Sequence, residues 1–205
     1  MEYQYLILLP LAYLLGSVPF GLLTGKLAKN VDIRQHGSKN IGATNVMRIM
    51  GPVAAVLVLL LDVGKGIAAV RFPFAWDAPE EVMLASGFLV VLGHCFSLFL
   101  RFKGGKGVAT GLGVIISMPG FYPESIILLI IAVLVIALSR IVSLGSMTGA
   151  VLFPIFLAVA GYEIAYILTG LAIAVLVIIR HHENIRKLLR GEESRLGQKV
   201  KVPEE

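Results

Sequence analysis

Seven apolar runs dominate the chain, and each approaches or exceeds the length needed to cross a lipid bilayer. A membrane-spanning helix needs about 20 mostly apolar residues. The chain is 57% hydrophobic and only 15% charged, which excludes an ordinary soluble domain and a disordered chain. The runs cover residues 3–25, 52–70, 82–100, 107–123, 125–139, 141–162 and 164–179. The sequence therefore predicts an all-α integral membrane protein with seven transmembrane helices.

The positions of the basic residues support seven spans. If the chain crosses seven times, sixteen of its eighteen Lys and Arg fall in segments on one side of the membrane. Because cytoplasmic loops are enriched in Lys and Arg, that side is predicted to be the cytoplasm, with the N-terminus outside and the C-terminus inside. We expect a single multi-pass domain over residues 1–205, in which residues 180–205 form a cytoplasmic tail.

The formal net charge of +5 does not require a nucleic-acid partner. Orientation in the membrane and attraction to anionic headgroups explain the basic surplus, so nucleic-acid binding is not predicted. Cys95 is the only cysteine, which excludes a disulfide scaffold. The first basic residue is Lys26, so the first apolar run lacks the basic leader of a secretory signal and is expected to stay in the protein.

The first predicted cytoplasmic loop has the sequence GSKNIGATNVMR over residues 37–48. Glycines let a backbone turn its N–H groups toward an anion, and Ser, Thr and Asn side chains add neutral donors. Lys39 and Arg48 add positive charge. A flexible connector with turn glycines is the alternative, but a connector does not need so many polar donors. We therefore interpret this loop as an anion-binding segment.

The second predicted cytoplasmic loop has the sequence KGGKGVAT over residues 103–110 and leads into the fourth apolar run. Backbone donors, a helix start and the Lys106 ammonium together are typical of a phosphate cradle. The loop is not a Walker A motif, because Leu100 stands where that motif has its first glycine. A basic hairpin turn is the alternative, and the first loop on the same side favours anion binding.

Two further polar segments are predicted on the same side. The segment SRIVSLGS at residues 139–146 contains Arg140, which could hold a phosphate or anchor a helix end. The segment RHHENI at residues 180–185 could bind substrate and move protons, or simply begin a solvated tail. A metal site is not predicted, because zinc sites usually have three or four spaced ligands and no HExxH motif occurs.

Asp62 and Lys65 place two opposite charges three residues apart in the second apolar run. Charges within a membrane are costly and usually paired, so a structural ion pair is favoured over a proton relay. His94 lies in the third run, where a hydrogen bond between helices is favoured over catalysis.

Three signatures of other membrane enzymes are absent. The S-R-x5-H element of lipid phosphatases would need a histidine where Ser146 stands. The three Asp do not give the D-x3-D spacing of CDP-alcohol transferases. The widespread glycerolipid acyltransferases have an H-x4-D pattern. None of the four His here begins that pattern, because no Asp stands five positions after any of them.

Five segments, in order, resemble the bacterial acyl-phosphate:glycerol-3-phosphate acyltransferases, the PlsY family. They are GSVPFG at residues 16–21, GSKNIGATN at 37–45 with Arg48, DVGKG at 62–66, GGKGVAT at 104–110 and HHENIRKLLRG at 181–191. The resemblance implies transfer of a fatty acyl group from acyl phosphate to the sn-1 hydroxyl of glycerol 3-phosphate, which gives lysophosphatidic acid and phosphate. It implies no metal, coenzyme A or other cofactor, and a monomer working among membrane lipids at the cytoplasmic face of a bacterial inner membrane.

The resemblance also implies roles for particular residues, with His181 rather than His182 aligned to the family's histidine. The predicted catalytic residues are Ser38, Arg48, Lys106, His181 and Asn184. The predicted substrate-binding residues are Lys39, Asn40, Gly42, Thr44, Asn45, Gly104, Gly105, Gly107, Thr110, Arg140 and Ser143. Asp62, Lys65 and Glu183 are expected to support the structure near the site.

Two alternatives stay open at this point. The proton of the glycerol hydroxyl could go to His181 or to the donor's own phosphate, and the second route is favoured because the sequence shows no obvious Asp–His pair. The chain could instead transport a small organic phosphate, or be another acyl or polyprenyl phosphate transferase with the same anion cradle. Transport would need polar groups along a path through the membrane, whereas most polar residues here gather at one side.

Overall fold

The computed structural model describes residues 3–118, 120 and 122–198, and this part of the chain is helical with no strand. Short 3-10 turns occur at Tyr3–Ile7, Ile33–Gln35 and Leu98–Leu100. The α-helices are α1 (Leu8–Ser17), α2 (Phe20–Lys29), α3 (Ala43–Met50), α4 (Pro52–Ala75), α5 (Glu80–Cys95), α6 (Val108–Ser117), α7 (Tyr122–Ser139), α8 (Val142–Val159), α9 (Ile164–Arg180) and α10 (His182–Leu189).

Three helical segments are long and apolar enough to cross a membrane: α4, α5 with the turn that follows it, and α8. The pairs α1–α2 and α9–α10 are bent by 41° and 58°, and the number rises to five if each pair is one span. Helix α6 and residues 125–139 of α7 are apolar but shorter. These helices confirm the prediction of an all-helical protein suited to a membrane, while seven spans and the sides of the termini stay predictions.

Two predicted spans differ from the helices that form. The first predicted span, residues 3–25, is divided between α1 and α2, and the break comes at Val18 and Pro19. Pro19 has no backbone N–H to continue the α1 hydrogen-bond ladder. Within the described part of the fourth predicted span, residues 107–123, helix α6 covers ten residues, and residues 122 and 123 already belong to α7. At 1.5 Å per residue, α6 is about 15 Å long, roughly half of the hydrocarbon core of a bilayer.

Small residues bring α4 and α6 into close contact. Gly66 of α4 packs against the carbonyl of Thr110, and Gly113 of α6 packs against the carbonyl of Val63. A Cβ at either glycine would collide with the backbone it faces. Close approach through small residues is a common way for helices to pack in membranes. This packing fixes the start of α6, and with it the second polar loop, on α4.

An apolar cluster anchors the first polar loop. Ile33, Ile41 and Val46 are buried together with residues of α2 and α4. Ile33 and Val46 are fully buried, so the segment between α2 and α4 is seated on the bundle rather than extended into solvent. The apolar burial offsets the cost of ordering a loop that is rich in glycine and polar residues.

Candidate active site

The polar segments of the sequence meet around one cavity of about 430 Å³, a volume typical of sites that bind small molecules. All five residues predicted to be catalytic line it, as do six of those predicted to bind substrate. Those that line it are Ser38, Asn40, Gly42, Thr44, Asn45, Arg48, Lys106, Gly107, Ser143, His181 and Asn184. Residues far apart in sequence therefore form a single site.

Asn45 folds the first polar loop. Its side-chain oxygen accepts a hydrogen bond from the Ser38 backbone N–H at 2.9 Å. Its side-chain nitrogen lies 2.9 Å from the Ile33 carbonyl, 3.2 Å from that of His36 and 2.8 Å from that of Asn40. Asn45 is also buried. Its amide is thus used within the loop, and its contribution to the site is to place Ser38.

Arg48 brings an uncommitted positive charge to the cavity. It lies four residues after Thr44 on α3, so both side chains share one face of the helix. Among the described residues, no acceptor forms a hydrogen bond or ion pair with its guanidinium, which lines the cavity. A guanidinium can donate two parallel hydrogen bonds to one phosphate group. Arg48 is therefore available to an anionic ligand.

The second polar loop is held tightly by its own glycines. The backbone N–H of Gly104 donates to the Cys95 carbonyl at 3.2 Å, and that of Gly105 donates to the His94 carbonyl at 2.9 Å. A Cβ on Gly105 would collide with the His94 ring. Arg180 donates to the carbonyls of the same two glycines, at 2.8 and 3.0 Å. These N–H groups are used inside the protein, so Gly104 and Gly105 shape the loop that carries Lys106.

Lys106 is the cation that this loop presents to the cavity. Its ammonium donates a 2.5 Å hydrogen bond to the side-chain oxygen of Asn184. Burial lowers the pKa of Lys106 to about 8; Glu193 partly opposes this, and the nearby positive charge of Arg48 adds to it. Arg48, Lys106 and Lys187 all line the cavity, so these three cations share it. Their mutual repulsion is relieved when an anion binds between them.

His181 lies just beyond the end of α9 and is almost fully buried, with 1% of its surface exposed. Its Nδ1 lies 2.8 Å from the Val177 carbonyl. Because a carbonyl can only accept, Nδ1 carries the proton and Nε2 is left as an acceptor. Burial lowers the pKa of His181 to about 4, so the ring is neutral at pH 7. His182 is exposed and does not line the cavity.

Glu193 is a site residue that the sequence interpretation missed, as are Lys187 and Ser194, which also line the cavity. The Glu193 carboxylate accepts hydrogen bonds from the Asn184 side chain at 2.6 Å and from the Ser143 hydroxyl at 2.7 Å. It thereby completes a network that joins Lys106 on the second loop, Asn184 on α10 and Ser143 on α8. The predicted supporting residue Glu183 is instead exposed and outside the cavity lining.

The segment over residues 192–198, called here the closing segment, folds back over the cavity. Gly191 has a φ of +71°, which favours glycine and turns the chain after α10. The Leu196 backbone N–H then donates to the Arg140 carbonyl at 2.7 Å. The part of the predicted tail that the structure describes is thus joined to the bundle, and residues 199–205 lie outside the described residues.

Some predicted binding residues do not line the cavity. Lys39 and Arg140 are exposed, and Thr110 is buried on α6. The backbone carbonyl of Arg140, rather than its guanidinium, makes the contact with the closing segment. The full set outside the lining is Lys39, Gly104, Gly105, Thr110 and Arg140.

The expected ion pair is present, and its acidic partner Asp62 lines the cavity, as does His94. The Lys65 ammonium lies 2.9 Å from the Asp62 carboxylate and donates to the carbonyls of Gly16 and Val18 at 2.9 and 3.1 Å. Those carbonyls lie at the break between α1 and α2, so Lys65 stabilises the bend. The Nδ1 atom of His94 on α5 lies 3.6 Å from the Asp62 carboxylate on α4, and this contact joins the two helices.

A second, apolar cavity of about 170 Å³ adjoins the polar one between α6, α7, α8 and α9. Both cavities are lined by Gly107, Val108, Leu112, Leu129, Ile136 and Ser146. The described residues contain no group of three or more His, Cys, Asp or Glu placed to hold a metal ion. The arrangement is an anion site joined to an apolar groove, which suits a ligand with a charged head and a hydrocarbon chain.

Comparisons with known proteins agree with this geometry. The family model described as glycerol-3-phosphate acyltransferase matches residues 6–191. The glycerol-3-phosphate acyltransferase of Synechococcus sp. (strain CC9902) is 42% identical over 196 residues, which cover 96% of this chain and 97% of the relative. The glycerol-3-phosphate acyltransferase of Carboxydothermus hydrogenoformans is 43% identical over 187 residues, which cover 91% of this chain and 94% of the relative.

Two crystal structures of one solved protein share the fold. That protein is PlsY, an integral membrane glycerol 3-phosphate acyltransferase, in a glycerol 3-phosphate form and a lysophosphatidic acid form. Each has a TM-score of 0.85 and 41% sequence identity, covering 95% of this chain and 96% of the solved one.

Proposed function

Because the chain belongs to the glycerol-3-phosphate acyltransferase family, we propose that it acylates the sn-1 hydroxyl of glycerol 3-phosphate with acyl phosphate as the donor. The products are lysophosphatidic acid and inorganic phosphate, and the reaction serves phospholipid synthesis. The observation that carries the proposal is the junction between the two cavities. A site with Arg48 and Lys106 beside an apolar groove suits a phosphorylated acceptor and a fatty donor.

The site's main contribution is to hold two anions together. Acyl phosphate is a mixed anhydride, so its carbonyl is already activated and phosphate is a good leaving group. Two phosphate groups repel each other, and the charges of Arg48 and Lys106 offset that repulsion. Holding both substrates in reactive geometry replaces an encounter in solution and contributes several kcal/mol to lowering the barrier. Donors such as the Ser38 hydroxyl would stabilise the oxyanion that develops on the carbonyl.

The donor's own phosphate is the base in this proposal. The glycerol oxygen attacks the carbonyl carbon, the bond from that carbon to the phosphate oxygen breaks, and the hydroxyl proton goes to the leaving phosphate. His181 offers a free Nε2, but its pKa of about 4 makes it a weak base near pH 7. The neutral ring is better suited to accept a hydrogen bond from a substrate at Nε2 than to remove a proton.

The His181→Gln variant tests this assignment. We expect turnover to fall by less than about 10²-fold, because a general base contributes roughly 10²–10⁴-fold and His181 is not one here. The measurement is turnover of glycerol 3-phosphate at saturating donor, with His182→Gln as the matched control on the exposed neighbouring ring. A larger loss in a folded His181→Gln protein would return the role of base to His181.

The pH dependence of kcat/KM for glycerol 3-phosphate tests Lys106. The pKa of about 8 means that the ammonium loses its proton as pH rises through 8, so we expect kcat/KM to fall about tenfold per pH unit above that value. Lys106→Arg keeps its charge across this range and should lose the break near pH 8. Rates are corrected for hydrolysis of the donor without enzyme. An identical break in Lys106→Arg would contradict the assignment.

The donor is tested with purified protein, labelled glycerol 3-phosphate, and either palmitoyl phosphate or palmitoyl-CoA. Lysophosphatidic acid formed from the phosphate donor without added metal is the expected result. Product from palmitoyl-CoA alone would keep acyl transfer and overturn the donor. Product from neither donor in a folded preparation would overturn the proposed reaction, and uptake of phosphate esters into liposomes would then be measured.

We also propose a topology for the whole chain. Residues 1–205 form one multi-pass domain with seven spans, the N-terminus outside and residues 180–205 at the cytoplasmic face of a bacterial inner membrane. The gathering of the basic segments around one cavity supports this orientation. The site forms within one chain, which supports a monomer as the working unit. Labelling of single introduced cysteines from each side of the membrane tests the orientation.

A further inference from the structure

The apolar cavity has a defined direction. On α8, Ser146 lies at the end shared with the polar cavity, Gly149 lies in the middle and Phe153 lies at the far end. Seven helical residues separate Ser146 from Phe153, which corresponds to about 10 Å. On α7 the two cavities share both Ile136 and Leu129, and Ser125, one turn from Leu129, lines the apolar cavity alone. The groove thus extends beyond the anion site along α8.

The large, buried side chain of Phe153 lies at the far end of the groove. Phe153 is 1% exposed, and its ring packs against Gly170 of α9. The middle of the groove is open, because Gly149 contributes no side chain there. A Cβ on Gly149 would stand 3.6 Å from the Ala132 Cβ, which is ordinary van der Waals contact. A methyl group therefore fits at Gly149, whereas a larger side chain there would extend into the space of the groove.

We propose that Gly149 and Phe153 set the length of the acyl chain that the protein prefers. This inference rests on the proposed function, in which the occupant of the groove is the hydrocarbon chain of the donor. Gly149 lets the chain pass the middle of the groove, and Phe153 limits how far it extends. A methylene group that loses its place in an apolar pocket changes selectivity by roughly tenfold.

The test compares donors in competition, using the full-length protein, labelled glycerol 3-phosphate, and palmitoyl and octanoyl phosphates. In Gly149→Leu, the ratio of kcat/KM for palmitoyl over octanoyl phosphate should fall at least about tenfold. Gly64→Leu is the matched control, because a Cβ on Gly64 of α4 would have no atom within 4 Å. It should keep the wild-type ratio. Phe153→Leu should raise the rate with stearoyl phosphate relative to palmitoyl phosphate.

The outcomes separate the two proposals. If the wild-type protein uses no acyl phosphate, the proposed function fails. If it does, but Gly149→Leu is active and keeps the wild-type ratio, the chain-length proposal fails. If Gly149→Leu is inactive with every donor, the smaller step Gly149→Val decides, and an unchanged donor ratio in an active Gly149→Val protein overturns the proposal.

Discussion

The Lys106→Met variant should lose about 10²–10³-fold in kcat/KM for glycerol 3-phosphate, the magnitude seen when one preorganised electrostatic donor is removed from an active site. The substitution removes the ammonium that hydrogen-bonds to Asn184 and leaves Arg48 and Lys187 as the cations that line the cavity. Steady-state assays with acyl phosphate measure the effect.

Two further variants show whether charge at that position is the cause. Lys106→Arg keeps the charge and should retain more activity than Lys106→Met. Lys103→Met removes an exposed lysine of the same loop that does not line the cavity, and it should stay within a few-fold of the wild-type rate. Equal losses in Lys103→Met and Lys106→Met would show that the loop's overall charge matters rather than the Lys106 contact.

Asp62→Asn is expected to lower the free energy of unfolding by about 3–5 kcal/mol, because it leaves the Lys65 ammonium buried without its counter-charge. The two side chains are 3% and 1% exposed. The measurement is thermal unfolding of the detergent-solubilised protein. Lys65→Met should also destabilise, since the carbonyls of Gly16 and Val18 would lose their donor.

The double variant Asp62→Asn with Lys65→Met measures how strongly the stabilising effects of the two charges depend on each other. It removes both charges together, so its loss of stability should be smaller than the sum of the two single losses. Arg71→Met, at an exposed position on the same helix, is the control and should change stability little. Additive losses in the double variant would mean that the two charges do not depend on each other.

The sequence was most informative where the chemistry of the membrane restricts the choices. Apolar runs and basic residues identified a helical membrane protein, because unsatisfied backbone groups and free charges are both costly in lipid. The predicted topology placed the polar segments on one side of the membrane, and the family resemblance then selected the five residues predicted to be catalytic: Ser38, Arg48, Lys106, His181 and Asn184.

What the sequence could not show was which polar groups are already used inside the protein. Asn45 and the N–H groups of Gly104 and Gly105 have the composition of a binding loop, but their partners are backbone carbonyls of residues up to twelve positions away. Glu193 was missed because its partners Ser143 and Asn184 lie on other elements. The glycine at position 191, before two acidic residues, was the available signal of a returning chain.

The closing segment also sets an order of events during synthesis. Residues 192–198 follow the ten α-helices of the described residues in the chain, so a ribosome makes Glu193 after the residues that it joins. Until that carboxylate is in place, Ser143 and Asn184 lack their common acceptor. The helices alone thus do not complete the site, and it is finished only when the closing segment has folded back onto them.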